Sequence, residues 1–209
     1  MLLFAPPSSE VVSMGKARGT SILGTLDYVS VSFGQGAVAR VISELPEQIR
    51  REVGESGRSV LPGAWYPCST LSQLTRTADR LLGAGDLALA RAAGKHVAFA
   101  DVNRFFRWLF KLVGPQTLFS RAGSVWNNYY DTGHYVLEGV EASRASLRIE
   151  GWEGGDEVLC KRLEGWVERA VEMTLGTAKN PVICETHHQA FDARIANVPF
   201  CRFEARWES

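Results

Sequence analysis

Gly133 to Trp207 constrains the fold of this 209-residue chain more tightly than any other stretch. Its last run, Cys201-Arg202-Phe203-Glu204-Ala205-Arg206-Trp207, sends Cys201, Phe203, Ala205 and Trp207 one way and Arg202, Glu204 and Arg206 the other. Period-2 alternation of this kind is a strand with one buried and one wet face. Arg144 to Glu150 repeats it with Ala145, Leu147 and Ile149, and Tyr135 to Glu138 and Val182 to Thr186 are two more strands. Between the pairs, Asp156 is placed to cap a helix from Glu157 to about Leu175. Leu159, Leu163, Trp166, Ala170 and Met173 line one face of it, and Lys161, Arg162, Glu164, Glu168, Arg169 and Glu172 the other, which is read as wet. Gln189 to Pro199 is a loop or wide hairpin connection.

Upstream the hydrophobic period is helical. Residues 1–18, with Pro6-Pro7-Ser8-Ser9, read as a flexible leader. Ile22, Leu26, Val29 and Phe33 recur at helical spacing up to Gly34, and short helices follow on either side of Pro46. Trp65-Tyr66-Pro67 is an extended step into a helix with Leu71, Leu74, Ala78 and Leu81, for which Ser69 is the expected N-cap. Asp86 caps a helix that Gly94 should end, Asp101 caps another carrying Phe105, Phe106, Leu109 and Phe110, and Leu118 to Tyr130 is a further helix. The expected architecture is α/β in the α+β sense. One domain over residues 19–209 places a helical layer (19–131) on an antiparallel sheet of about four strands with a crossing helix (132–209).

Composition narrows the function classes. Hydrophobic residues at 45% and charged residues at 22% suit a globular core. Lys plus Arg equals Asp plus Glu at 23 each, which argues against a nucleic-acid binder and leaves little charge to oppose self-association. No stretch is apolar for the roughly 18 residues a membrane span needs, so a cytoplasmic location is expected. Four cysteines, Cys68, Cys160, Cys184 and Cys201, are too few for a disulfide framework in a chain of this size.

No catalytic motif is present, and a non-enzymatic protein is expected. Cys184-Glu185-Thr186-His187-His188, with Cys160 and Cys201, supplies thiolate, imidazole and carboxylate, a ligand set that suits zinc. On a regular strand, however, Cys184 and His188 would share one face and Glu185 the other. Cys184 on an apolar strand face lacks the open, positive setting a nucleophilic thiol needs. His96 and His134 are candidate haem axial ligands. Arg104, Arg107 and Lys111 interleave with aromatics but fall on one solvated helix face. Ten Phe, six Trp and five Tyr gather near the helix-to-sheet transition, where pockets are commonly aromatic-lined. Trp108, Trp126, Tyr130 and Trp166 are the expected walls of a site for a small apolar ligand.

The order of elements, with Val125-Trp126-Asn127-Asn128-Tyr129-Tyr130-Asp131 leading into Gly133, Trp65-Tyr66-Pro67 upstream and the Cys201 to Trp207 finish, resembles an uncharacterised protein family abundant in myxobacteria. That family is similar in turn to the 4-vinyl-reductase sensory domain and to TRAPP-type trafficking subunits. The resemblance implies helices against an antiparallel sheet, a small hydrophobic ligand or acyl chain, or a dimeric scaffold. It also implies a zinc site near the last two strands, which maps onto Cys160, Glu185 and Cys201, with His188 substituting for a missing cysteine. The helical half resembles haem–nitric-oxide binding domains more distantly. Those hold the haem propionates with a Tyr-x-Ser-x-Arg element, and Tyr28-Val29-Ser30-Val31-Ser32 lacks the Arg. The reading that follows is a sensory or scaffold module without a resident cofactor, binding a small apolar ligand or a protein partner, most readily a second copy through the N-terminal helices. The alternative is a zinc protein or metal-dependent enzyme built on Cys160, Glu185, His188 and Cys201.

Overall fold

A computed structural model describes residues 15–101, 113–174 and 179–208. Lys16–Arg18 (β1) pairs antiparallel with Trp65–Pro67 (β2), with Ala17 opposite Tyr66. The expected leader therefore ends sooner than residue 18: Ala17 is fully buried, and Gly15 accepts the Cys68 N–H at 2.8 Å. Gly19–Phe33 (α1), Gln35–Ser43 (α2), Glu47–Val53 (α3) and Cys68–Leu82 (α4) build the first part of the helical layer. The last of these starts at Cys68, directly after Pro67, so Ser69 is not its cap.

Ala88–Asp101 (α5) runs through Gly94, where the sequence predicts a stop. Gly94 is a site of close approach instead. A Cβ there would overlap the main-chain oxygen of Arg162, and one at Gly165 would overlap that of Arg91. Pro115–Trp126 (α6) is shorter at its C-terminal end than expected, with Asn127 as its C-cap. The predicted helix from Asp101, with Phe105, Phe106 and Trp108, falls on residues 102–112, outside the described residues.

The sheet is as the alternation requires. His134–Val140 (β3), Arg144–Glu150 (β4), Lys179–Ala190 (β5) and Phe200–Glu208 (β6) form one antiparallel sheet in the order β3-β4-β6-β5. Leu147 stands opposite Phe203 and Ile149 opposite Cys201. Cys201, Phe203, Ala205 and Trp207 are all buried, as are Ala145, Leu147 and Ile149. β5 is longer than predicted at both ends, and Ala190 already pairs with Phe200, so only residues 191–199 connect the last two strands.

Glu157–Glu172 (α7) crosses between β4 and β5, capped by Asp156, whose Oδ1 accepts from Leu159 N at 3.0 Å. The sequence places Arg162, Glu164 and Glu168 on a wet face, but all three are buried. The reason is the layering: α7 has the sheet beneath it and α1 and α5 above, so its charges meet protein. Arg91 of α5 donates through Nε to Glu168 Oε2 (3.0 Å), through Nη1 to Glu164 Oε2 (3.0 Å) and through Nη2 to Ile183 O on β5 (3.1 Å). Glu164 also accepts the backbone N–H of Glu185 at 2.9 Å. Glu164 and Glu168 are thus paired, as buried charges usually are. Among the described residues, no helix is long and apolar enough to cross a membrane.

Candidate functional site

Two features meet on α7. The first lies toward its N-terminal end. Cys160 projects from the helix onto the sheet edge, where Cys201 comes from β6 and Glu185 and His188 from β5, and their ligand atoms all lie within 4.8 Å of one another. Cys160 Sγ is 3.9 Å from Cys201 Sγ and 3.6 Å from His188 Nδ1. Cys201 Sγ is 3.8 Å from His188 Nδ1, and Glu185 Oε1 is 2.9 Å from it. Two thiolates each about 2.3 Å from a tetrahedral zinc stand about 3.8 Å apart, and a thiolate and an imidazole nitrogen about 3.6 Å apart. The sulfur and imidazole spacings match that geometry, so these residues fit a four-coordinate zinc.

A regular strand would have split this set between two faces. The pairing of β5 with β6 slips between Glu185 and His187 and again between His187 and Ala190. These bulges re-aim the strand and bring Glu185 and His188, three residues apart, to one side. Gln189 follows with a φ of 45°, a left-handed backbone unusual for its type. There its N–H donates to Cys201 Sγ at 3.4 Å, and its side-chain amide donates to Gly155 O at 3.0 Å. Such outer contacts orient ligands and tune them. The expectation for Cys184 is overturned: it is exposed, because Ile183 takes the inward position.

Electrostatics favour one thiolate over the other. The hydrogen bond from the Cys160 thiol, helped by the Gln189 N–H, holds Cys201 below the usual thiol value against the cost of burial. Cys160 is pushed up by that bond and by its own burial. Burial works to lower His188, but the Glu185 carboxylate beside it prevails and raises it.

The second feature is a cavity of about 80 Å3 between α6, α7 and the inner face of β3 and β4. Trp126, Tyr130 and Trp166 all line it, and Trp108 lies outside the described residues. Trp126 stacks on Tyr130 with ring centroids 4.6 Å apart, and Trp152 closes on both at 4.9 Å. Trp126 Nε1 donates to Thr132 O at 3.0 Å, and Tyr135 donates its hydroxyl to Phe119 O at 2.9 Å. Burial drives the phenol groups of Tyr130 and Tyr135 well above their ordinary range. One lining residue that sequence patterning missed is Arg162, only 4% exposed. No periodicity signals it, because an arginine at an outer helical position looks the same whether water or another helix covers it.

Haem does not fit these described residues. Among the described residues, no His, Cys or Met lines the cavity. His96 instead bonds Asp27 at 2.7 Å on the outer side of α1 and α5, and His134 is exposed at the start of β3. The tyrosines are held protonated by burial, which opposes their use as axial ligands. The volume also falls well below the roughly 300 Å3 lower bound typical of pockets for larger ligands.

No family model matches the sequence, and no curated protein matches it either. Solved structures do. The chain is similar to a mutant, unliganded Fe(II) H-NOX protein from K. algicida, with a TM-score of 0.64 and 15% identity over 92% of this chain and 97% of that one. It is similar to an oxygen-binding H-NOX domain related to soluble guanylate cyclases (TM-score 0.62, 11% identity, 92% and 95% covered). A mutant form of T. Tengcongensis H-NOX gives 0.64 at 10% identity, with 92% and 98% covered. At these identities the likeness is one of fold. It bears on the distant haem–nitric-oxide resemblance and not on the 4-vinyl-reductase, TRAPP or myxobacterial ones.

Proposed function

We propose that this chain is a haem-free sensory module of H-NOX-like fold, non-enzymatic, with a structural zinc at one end of α7 and a cavity for a small apolar ligand along the rest of it. The observation that carries the reading is the aromatic cavity itself. A partly open apolar space between helices and sheet forfeits dispersion contacts, so it is costly unless something uses it. Cys160, Glu185, His188 and Cys201 would hold the zinc. Four protein ligands leave no open coordination position, which is the mark of a structural rather than a catalytic ion. The ion would fasten α7 to β5 and β6, and α7 in turn supplies Leu163, Trp166 and Ala170 to the cavity wall.

Xenon NMR of the purified protein tests the cavity. Saturable entry of xenon, displaced by Ala122→Leu, supports it, and a spectrum with no bound xenon refutes it. A second copy as partner is favoured by Val31 and Phe33 on α1, apolar residues that are 71% and 42% exposed. Native mass spectrometry at low concentration reports whether a dimer forms, and Val31→Lys should dissociate it.

A further inference from the structure

Among the described residues that line it, the cavity holds one charged side chain, Arg162, and that charge has no opposite. Arg162 reaches from α7 to α1, where its Nη1 donates to Thr25 Oγ1 at 2.7 Å and its Nη2 to Ser21 O at 3.4 Å. Both partners are neutral. Among the described residues no carboxylate lies within ion-pair distance of it, although every other buried charge on α7 is paired: Glu164 with Arg91 and Lys161, Glu168 with Arg91 and Lys95. A second polar group on the same wall is also unanswered. Trp166 lines the cavity, and its buried indole N–H has no hydrogen-bond partner. Buried donors are ordinarily satisfied, and an isolated buried cation is the most expensive of them to leave alone.

We propose that the cavity takes a small organic acid, its carboxylate on Arg162 and its apolar tail among Trp126, Leu147 and Ile149. The guanidinium plane matches a carboxylate in two-point fashion, and the two protein acceptors it now has are both neutral. The apolar remainder of the wall excludes an inorganic anion as the natural occupant, because such an ion would leave its other oxygens unbonded. Size sets the tail: about 80 Å3 is roughly half of an engineered cavity of ~150 Å3 that accepts benzene, so a short aliphatic acid fits and a fatty acid does not. The inference rests on the ligand-cavity reading above and adds the chemical class of the ligand.

The experiment compares butyrate with its neutral isostere butyramide by calorimetric titration at neutral pH, on the whole chain with its metal. Wild type should bind butyrate at least about tenfold more tightly than butyramide, and Arg162→Met should abolish that preference while still admitting xenon. Equal affinity for acid and amide in wild type overturns the anchor without touching the cavity, a comparison that needs no variant to fold. Retained acid preference in Arg162→Met overturns the role of this residue. Failure of xenon and both probes together removes the cavity reading as well. Arg162→Lys gives a further check, since it should keep a preference for the acid that is weaker than in wild type.

Discussion

Placing a methyl group at Gly165 tests the seam that positions α7. In α7 the Cβ of an alanine at 165 would overlap the main-chain oxygen of Arg91, and it would sit 2.8 Å from the carbonyl carbon and 3.1 Å from the Cα. Comfortable carbon–carbon contact begins near 3.5 Å, so the two helices must part by on the order of 1 Å. The obstacle is backbone, and no rotamer change relieves it. Two effects of opposite sign compete. Ala in place of Gly in a helix interior gains about 1 kcal/mol of propensity. Overpacking of a tight seam costs about 1–3 kcal/mol, and more where the neighbour cannot yield. Here the upper end applies, because the displaced α5 also carries Arg91, which pairs with Glu164 and Glu168. The net expectation for Gly165→Ala is a loss of about 2 kcal/mol, a Tm lower by roughly 4–8 °C for a domain of this size. Gly36→Ala in α2 is the control: nothing lies within 4 Å of that position, so propensity alone acts and stability is unchanged or slightly raised. Thermal unfolding followed by circular dichroism gives both values. A Gly165→Ala protein as stable as the Gly36→Ala control would refute the close α5–α7 seam, and with it the placement of Cys160 and Arg162.

Three other outcomes follow from the geometry. Cys201→Ala should lose the metal and lose stability, and a chelator should lower the Tm of wild type but not of the variant; saturation at a thousand times Kd is worth about 4 kcal/mol. Glu168→Gln reports on pH. Burial raises the Glu168 carboxyl, but hydrogen bonds from Arg91 and Lys95 outweigh it and hold the group below its ordinary value. The ion pairs therefore stabilise fully above the unfolded carboxylate range near 4.3, and that contribution is lost as pH falls through the lower folded value. Unfolding free energies of wild type and Glu168→Gln from denaturant titrations should converge in acid and differ by about 1–3 kcal/mol at neutral pH. Iodoacetamide should label Cys184 quickly and spare Cys68, which is 1% exposed and whose thiol is pushed up to about 12 by burial; peptide mapping after a short pulse decides it.

The sheet was legible because Cys201 to Trp207 and Arg144 to Glu150 each bury one face only, and period-2 alternation records that directly. The Asp156 cap was legible for the same kind of reason, being a local hydrogen bond. What patterning misread was α7, whose outer face carries Arg162, Glu164 and Glu168 yet lies under other helices. Residue type cannot distinguish a charge in water from one answered by Arg91, seventy-odd positions away. Gly94 misled in a similar way, since a glycine that ends a helix and one that lets two helices touch are the same letter. The metal ligands were visible as a set, but their convergence was not, because strand alternation separates Glu185 from His188 and only the bulges in β5 reunite them.

Zinc and iron content per chain, measured together by plasma mass spectrometry on protein purified without added metal, bears most directly on a haem-free, zinc-fastened form of this fold. The expected result is one zinc per chain, absent from Cys201→Ala, with no stoichiometric iron. One iron per chain, or a wild-type protein as free of zinc as the variant, would contradict it.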